Sequence, residues 1–433
     1  MTRRGSKHEA GSLADDRAAS RARITPFAFG AAGITLLGLI YYALTWRSFK
    51  AIIGFCPHEF CDFIEYYYPM AEAVLRTGLP VDGFLYSPFV AILLAVFPSL
   101  GMNVSLVIWG ILQVAFVILY LFLFRRLVPA GLPIQLLFVI LALSSYPIAL
   151  NSLGGQVSVF MLVAILGMLV VKERGHTAVA AGLLAFAVSF KFYPIVFLAP
   201  FVANRDMRFL LYATVACVTF LLVIPGVFLG FSGTLGFYGG LFDAFRDSGW
   251  VAANPHSNFL PHVVVRLADA MGYDAQDHRS ILYVIAYSIA AANMGLLFLV
   301  QRARLSYADL WSFQIVFLTI PFVFKTSWPH DLVFLSFTQA LLAWRLLGDR
   351  TQASSWRERI TPTRMIMALT LLLPSIVFSN IVFFNLLGDF TGYGYYAFLF
   401  WANLLCLIAI YVELLPPALR RMRGCKAEEM EGG

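Results

Sequence analysis

Apolar runs of near-membrane length recur along almost the whole chain, separated by short polar turns. A helix needs roughly 20 apolar residues to cross the hydrocarbon core of a bilayer. The runs that suit this lie near 27–46, 105–124, 134–150, 157–171, 178–190, 195–204, 209–230, 281–300, 308–324, 332–346, 365–387 and 396–414. They predict an all-α polytopic membrane protein, a bundle of about twelve transmembrane helices. The two shortest runs, 178–190 and 195–204, flank Lys191 and read as half-buried or broken helices lining a polar cavity. A further apolar stretch, "SPFVAILLAVFPSLG" at 87–101, is bracketed by Pro88 and Pro98. It reads as an interfacial or re-entrant helix, because a span there would invert everything downstream.

Composition removes the soluble alternative. The chain is 60% hydrophobic and 13% charged, with a mean hydropathy of +0.79, against roughly 45–50% apolar and 25% charged in soluble domains. Lysine and arginine set the orientation, because they collect on the cytoplasmic side. With the N-terminus inside, only Arg47, Lys50, Arg76, Lys191, Arg246, Arg266, Arg279 and Lys325 of the 31 fall outside. The net charge of +7 is therefore a matter of topology and calls for no nucleic-acid partner. Residues 1–26 lack an apolar signal core and read as a cytoplasmic tail, and 415–433 as a second one ending in a disordered "GCKAEEMEGG". The loop 348–364 is cytoplasmic on this reading, and the membrane domain covers 27–414. Two large external loops follow, 47–104 and 231–280, in a multi-pass protein of the cell membrane.

Five cysteines do not make a disulfide framework. Cys217 and Cys406 sit in apolar runs as packing residues. Cys56 and Cys61 share an external segment, where a bridge suits an oxidising compartment better than a metal pair lacking further ligands.

Polar chemistry concentrates in the external turns. "CDFIEYYYPM" at 61–70 holds Asp62 and Glu65 ahead of a tyrosine run. Pro69 suits a helix start and Gly78 its stop, so a surface helix over 69–76 is expected, with Asp62 in the irregular stretch before it. "NSLGGQVSVF" at 151–160 reads as a tight turn carrying Asn151 and Gln156, serving either as a plain turn or as a reader of sugar hydroxyls. Lys191 stands where an ionisable group must either snorkel or find a partner such as a phosphate. "FKTSWPHD" at 324–331 gathers Lys325, Trp328, His330 and Asp331, and "NPHSN" at 254–258 adds a weaker cluster. A carboxylate, amides, a histidine and two lysines on one face suit a polar group attached to a lipid phosphate.

In this order the residues resemble the integral-membrane glycosyltransferases of the GT-C superfamily, and within them glycosyltransferase family 87. The likeness rests on Asp62-Phe63 with Tyr66 and Tyr67, "YSP" at 86–88, Gly155-Gln156, an "AGLL" stretch at 181–184 with Lys191 and Pro194, and Ser327-Trp328-Pro329-His330. Ser87, where a second proline is common, and Pro329 beside the histidine depart from the pattern and leave the acceptor open. The resemblance implies a GT-C-like catalytic domain whose first external loop carries interfacial helices. It also implies inverting transfer of a sugar, usually mannose, from a polyprenyl-phosphate donor to a lipid or glycan hydroxyl. Carried onto this chain, Asp62 becomes the general base. Glu65, Tyr66, Gln156, Lys191, Lys325, Trp328 and His330 become substrate-binding residues. No metal and no cofactor are called for, since the lipid-linked sugar is a substrate and membrane lipids are the surroundings. A polytopic transporter or a lipid-linked saccharide flippase is the competing reading; either would explain the topology without needing Asp62 as a base.

Overall fold

The computed structural model describes residues 59–77, 86–247, 256–348, 362–387 and 390–431. Among them the chain is helical without strands, and an isolated antiparallel bridge joins Ser145 to Asn380. In chain order the helices are α1 Tyr68–Thr77, α2 Pro88–Leu100, α3 Met102–Leu127, α4 Leu132–Leu143, α5 Tyr146–Gly154 and α6 Ser158–Glu173. Next come α7 Thr177–Phe190, α8 Tyr193–Ala203, α9 Met207–Leu229, α10 Phe231–Asp247 and α11 Leu260–Ala270. The last are α12 Gln276–Arg302, α13 Ala308–Val323, α14 Leu335–Ala343, α15 Pro362–Phe378, α16 Ile381–Leu387, α17 Phe390–Tyr395 and α18 Phe398–Glu431.

Four of these are long and apolar enough to cross a membrane: α3, α9, α12 and the Phe398–Arg423 part of α18. The bent pair α5 and α6 makes a fifth if counted as one span. The expected run 27–46 lies outside the described residues, and the remaining expected spans fall in shorter or broken helices. The helix α3 shows how lipid shapes the pattern. Val104, Val107, Ile111, Val114, Ile118 and Phe122 form an exposed stripe at spacings of three and four, whereas Ser105, Trp109, Gln113, Tyr120 and Phe124 turn inward. The polar residues are inside because only there can they find partners.

Buried side-chain bonds then tie the helices together. Asn293 of α12 donates to Thr319 of α13 at 3.0 Å and accepts from Tyr411 of α18 at 3.0 Å. Gln339 of α14 donates to Ser375 and Ser379 at 3.0 and 2.9 Å. In a bilayer such bonds are worth about 0.6 kcal/mol each on average.

Three wide, π-type turns share one cause. Phe63–Tyr67, Thr219–Val223 and Ala368–Leu372 each end two residues before a proline, namely Pro69, Pro225 and Pro374. Proline lacks an N–H and its ring pushes away the carbonyl four residues back, so the preceding turn widens. At Pro225 the released Leu221 carbonyl is taken up by the Tyr238 hydroxyl at 2.8 Å.

Three expectations need correction. The run 134–150 is not one span, because it breaks at Ser144–Ser145, where Ser145 caps α5 and Pro147 opens its first turn. Asp62 does not sit in an irregular stretch. Its backbone is helical and leads directly into the wide turn before α1. The 424–433 stretch does not begin as a disordered tail, since α18 continues through Glu431, as its Ala, Glu, Lys and Met residues favour.

Candidate active site

The site is organised by the sharp turn between α5 and α6, whose axes bend by 117°. Here the structure narrows the expected turn, since Asn151 is still helical and fully buried. Its amide donates to Gln113 Oε1 at 3.1 Å, and its Oδ1 accepts the Val159 N–H at 3.2 Å, so one side chain joins both helices. Gln113 in turn donates to the Gln156 carbonyl at 2.8 Å. Gly155 ends α5 with φ +73°, and a Cβ there would lie 3.1 Å from both Phe60 Cα and Trp109 Nε1. A Cβ on Gly154 would lie 3.2 Å from Asp62 Oδ2. The glycine pair thus makes the turn and also makes room for the carboxylate.

Asp62 is 9% exposed and accepts a 2.5 Å hydrogen bond from the Gln156 amide. Burial pushes its carboxyl up to about 6, more than the Gln156 bond and the Lys191 charge pull it back, and Glu65 adds to the rise. Gln156 is fixed from the other side: the Tyr67 hydroxyl donates to its Oε1 at 2.9 Å, and Tyr86 lies 2.7 Å from the same hydroxyl. In the wide turn the Tyr68 N–H bonds back to Phe63, a five-residue step. That step brings Asp62 and Tyr67, five apart, to the same amide. Glu65 and Tyr66 are left exposed. Cys61 next to the carboxylate is disulfide-bonded; the expected pairing with Cys56 lies outside the described residues.

A second cluster meets the same turn. Lys191 follows α7 in extended conformation, with φ −141° and ψ 142°. Its Nζ lies 2.5 Å from Asp331 Oδ1, 3.4 Å from Ser158 Oγ and 3.4 Å from His330 Nε2. Asp331 also accepts from Ser158 at 3.1 Å and from the Trp328 N–H at 3.2 Å. Burial pushes the Asp331 carboxyl up, but Lys191, His330 and these bonds outweigh it and hold the group below its ordinary value. Burial, then Lys191, pushes His330 down to about 3, with Asp331 only partly opposing. The ring is therefore neutral near pH 7, and its 3.9 Å approach to Asp331 is not an ion pair. The Trp328 and His330 rings are nearly parallel, 4° apart in plane with centroids 6.4 Å apart.

Asp62, Gln156, Lys191, Trp328 and His330 are therefore brought to one end of the helices. Lys325 is exposed and stands over the Tyr283 ring at 5.5 Å, making no hydrogen bond or ion pair with the Asp62 cluster. Residues 256–258 of the "NPHSN" cluster turn out to be bracing: the Asn258 N–H donates to the Ser327 carbonyl at 2.7 Å, and Ser257 to the Lys325 carbonyl at 3.1 Å. Asn254 lies outside the described residues. Sequence reasoning missed Asp331 as the partner of Lys191, along with Ser158 and Gln113, and named Tyr67 and Tyr86 only as motif residues without a role. Among the described residues no group of three or more His, Cys, Asp or Glu side chains is placed to hold a metal ion.

Chemically, one buried carboxylate near neutrality faces a turn with an amide, beside an ammonium held by a second carboxylate and next to a neutral imidazole. That is the equipment for taking a proton near an anionic group. Comparisons with curated proteins and with solved structures returned no match. The family description glycosyltransferase family 87 matches residues 84–327, more than half of the chain. The match includes Gln156, Lys191 and Lys325 and stops short of Asp62, Trp328 and His330 on either side. The chain belongs to glycosyltransferase family 87, a family of membrane glycosyltransferases.

Proposed function

We propose that the chain transfers a sugar, mannose, from a polyprenyl-phosphate donor to a hydroxyl of a lipid or glycan on the extracytoplasmic face, with inversion. Family membership supports the reaction class, and the resemblance in the motifs supports the donor and the sugar. The observation that carries the mechanism is Asp62, a buried carboxylate held up to about 6 against a neutral amide. At neutral pH such a group is mostly ionised yet basic enough to accept a proton, as a general base requires.

In the proposed step the acceptor hydroxyl gives its proton to Asp62 while its oxygen attacks the anomeric carbon. The bond from that carbon to the phosphate oxygen breaks, and polyprenyl phosphate leaves with the electron pair. A single displacement needs one base and no second carboxylate as nucleophile. Gln156, fixed by Tyr67, aims the carboxylate. The donor phosphate accepts a hydrogen bond from Lys191 in place of the 3.4 Å approach to neutral His330, a contact no shorter than the one to Ser158. Asp331 keeps the ammonium in place. No resident cofactor enters this scheme.

The test is incubation of purified protein with labelled polyprenyl-phosphate-mannose and a membrane lipid extract. The product is then identified and its anomeric configuration read by NMR. A mannosylated lipid or glycan of inverted configuration is the expected result. Movement of the donor across vesicles without transfer would favour a flippase instead.

A further inference from the structure

We propose that a second site, at the opposite end of the helices, holds the headgroup of an amine-bearing zwitterionic phospholipid. A cavity of about 480 Å³ lies there, lined by Lys172, Glu173, Asn204, Gln301, Arg304 and Asp309 above a floor of leucines. That volume falls within the roughly 300–1,000 Å³ typical of ligand pockets. Along α6, the fifteen helical steps from Ser158 to Glu173 put it roughly 22 Å from the Asp62 site.

Helix ends set the sign of the ligand. The helices α3, α6, α8 and α12 all bring their C-termini to this cavity, through Leu127, Glu173, Asn204 and Gln301. Those ends carry partial negative charge and favour a cation. The helix α13 enters by its N-terminus, with Asp309 in the first turn.

The charged side chains strengthen that preference. Asp309 accepts from Asn204 at 3.3 Å and from Gln301 at 3.0 Å, two neutral amides that position the carboxylate without neutralising it. Glu173 makes no hydrogen bond or ion pair among the described residues. Lys172 is committed elsewhere, 3.2 Å from Asp206 and 5.1 Å over the Phe201 ring. Glu173 and Asp309, both exposed at the cavity and close enough for the Asp309 charge to act on Glu173, are the two carboxylates offered to a primary ammonium. The exposed Arg304 at the rim suits the adjoining phosphate, and Leu127, Leu169 and Leu305 suit the start of the acyl chains.

The full chain is placed in nanodiscs of mixed phosphatidylethanolamine, phosphatidylcholine and phosphatidylglycerol, and retained lipid is read by native mass spectrometry. Phosphatidylethanolamine is expected to stay bound in preference to the other two. Glu173→Gln with Asp309→Asn should weaken its retention by about tenfold or more, as loss of charge-assisted hydrogen bonds does. Glu173→Asp should keep the preference, which separates loss of charge from loss of fold. Competition by free phosphoethanolamine shows whether the headgroup alone suffices. Equal retention of the three lipids, a preference for phosphatidylglycerol, or wild-type retention by the double variant would each overturn the site.

Discussion

Asp62 and Asp331 are two buried carboxylates at the same end of the molecule, and what distinguishes them is the charge of their partner. Asp62 leans on the neutral amide of Gln156 and is raised to about 6. Asp331 takes the Lys191 ammonium at 2.5 Å and is lowered. Burial acts on both in the same direction, so the counter-ion decides which one takes up a proton first as pH falls. Environments that drive two acids apart mark different roles. In the proposed mechanism the raised acid exchanges a proton, and the lowered one holds a cation in place.

The comparison breaks most visibly at Asp62. Asp62→Asn keeps the shape but cannot accept a proton, and transfer by purified protein should fall by about 10²–10⁴-fold with donor binding retained. In the native enzyme, kcat/KM should decline as pH drops through about 6, as Asp62 becomes protonated. Asp331→Asn should leave that acidic limb in place. If Asp331→Asn abolished the limb and Asp62→Asn spared it, the roles would be reversed.

Stability separates the two acids next. Lys191→Met strands Asp331, whose side chain is 2% exposed. Removing one member of a buried pair costs about 3–5 kcal/mol. Lys191→Met combined with Asp331→Asn should recover much of that loss in a thermal melt in detergent. A double variant as unstable as Lys191→Met alone would show that the pair is not what holds the loop.

The same melt should show Asp62 with the opposite sign. Its folded value lies above the ordinary carboxylate value of 3.8. Its contribution is therefore fully present below about 3.8 and is lost as pH rises through about 6. At pH 7.5 the ionised group is a burden of up to about 3 kcal/mol. Asp62→Asn should then melt above wild type, the gap closing toward pH 4. Asp331 is lowered, so its stabilisation is instead lost as pH falls.

Much of this arrangement could be read in the sequence, and the rest has identifiable reasons for staying hidden. Lipid exposure writes itself as apolar length, which made the helices and the family motifs legible. The break inside 134–150 was also written, in Ser145 two residues ahead of Pro147, but a continuous apolar run masked it. The wide turn before Pro69 was not legible, because only the backbone shows that a proline has displaced a carbonyl rather than started a helix. It decided which of Asp62 and Glu65 faces Gln156. The Lys191–Asp331 pair spans 140 residues, and nothing local to either residue names the other. Lys325 shows the converse, since adjacency in "FKTSWPHD" did not place it with His330.

The smallest expected effects sharpen the contrast further. Glu65 lies three residues from Asp62 and is exposed, so as a base it would meet the acceptor in open water rather than against a fixed amide. Its influence on the site runs through charge alone, by raising Asp62. Glu65→Gln removes that charge and should move the acidic limb slightly downward, with transfer at pH 7.5 within about threefold of wild type, the scale of a surface charge worth under about 1 kcal/mol. Lys325→Met loses an exposed cation–π contact with Tyr283, worth about 0.5–1 kcal/mol at exposed sites. Donor affinity should stay within the same range. Steady-state transfer and donor titration on the two purified variants check both. A collapse of transfer in Glu65→Gln would move the base one turn along the helix, and a tenfold loss of donor affinity in Lys325→Met would place the phosphate beside Tyr283 instead of Lys191.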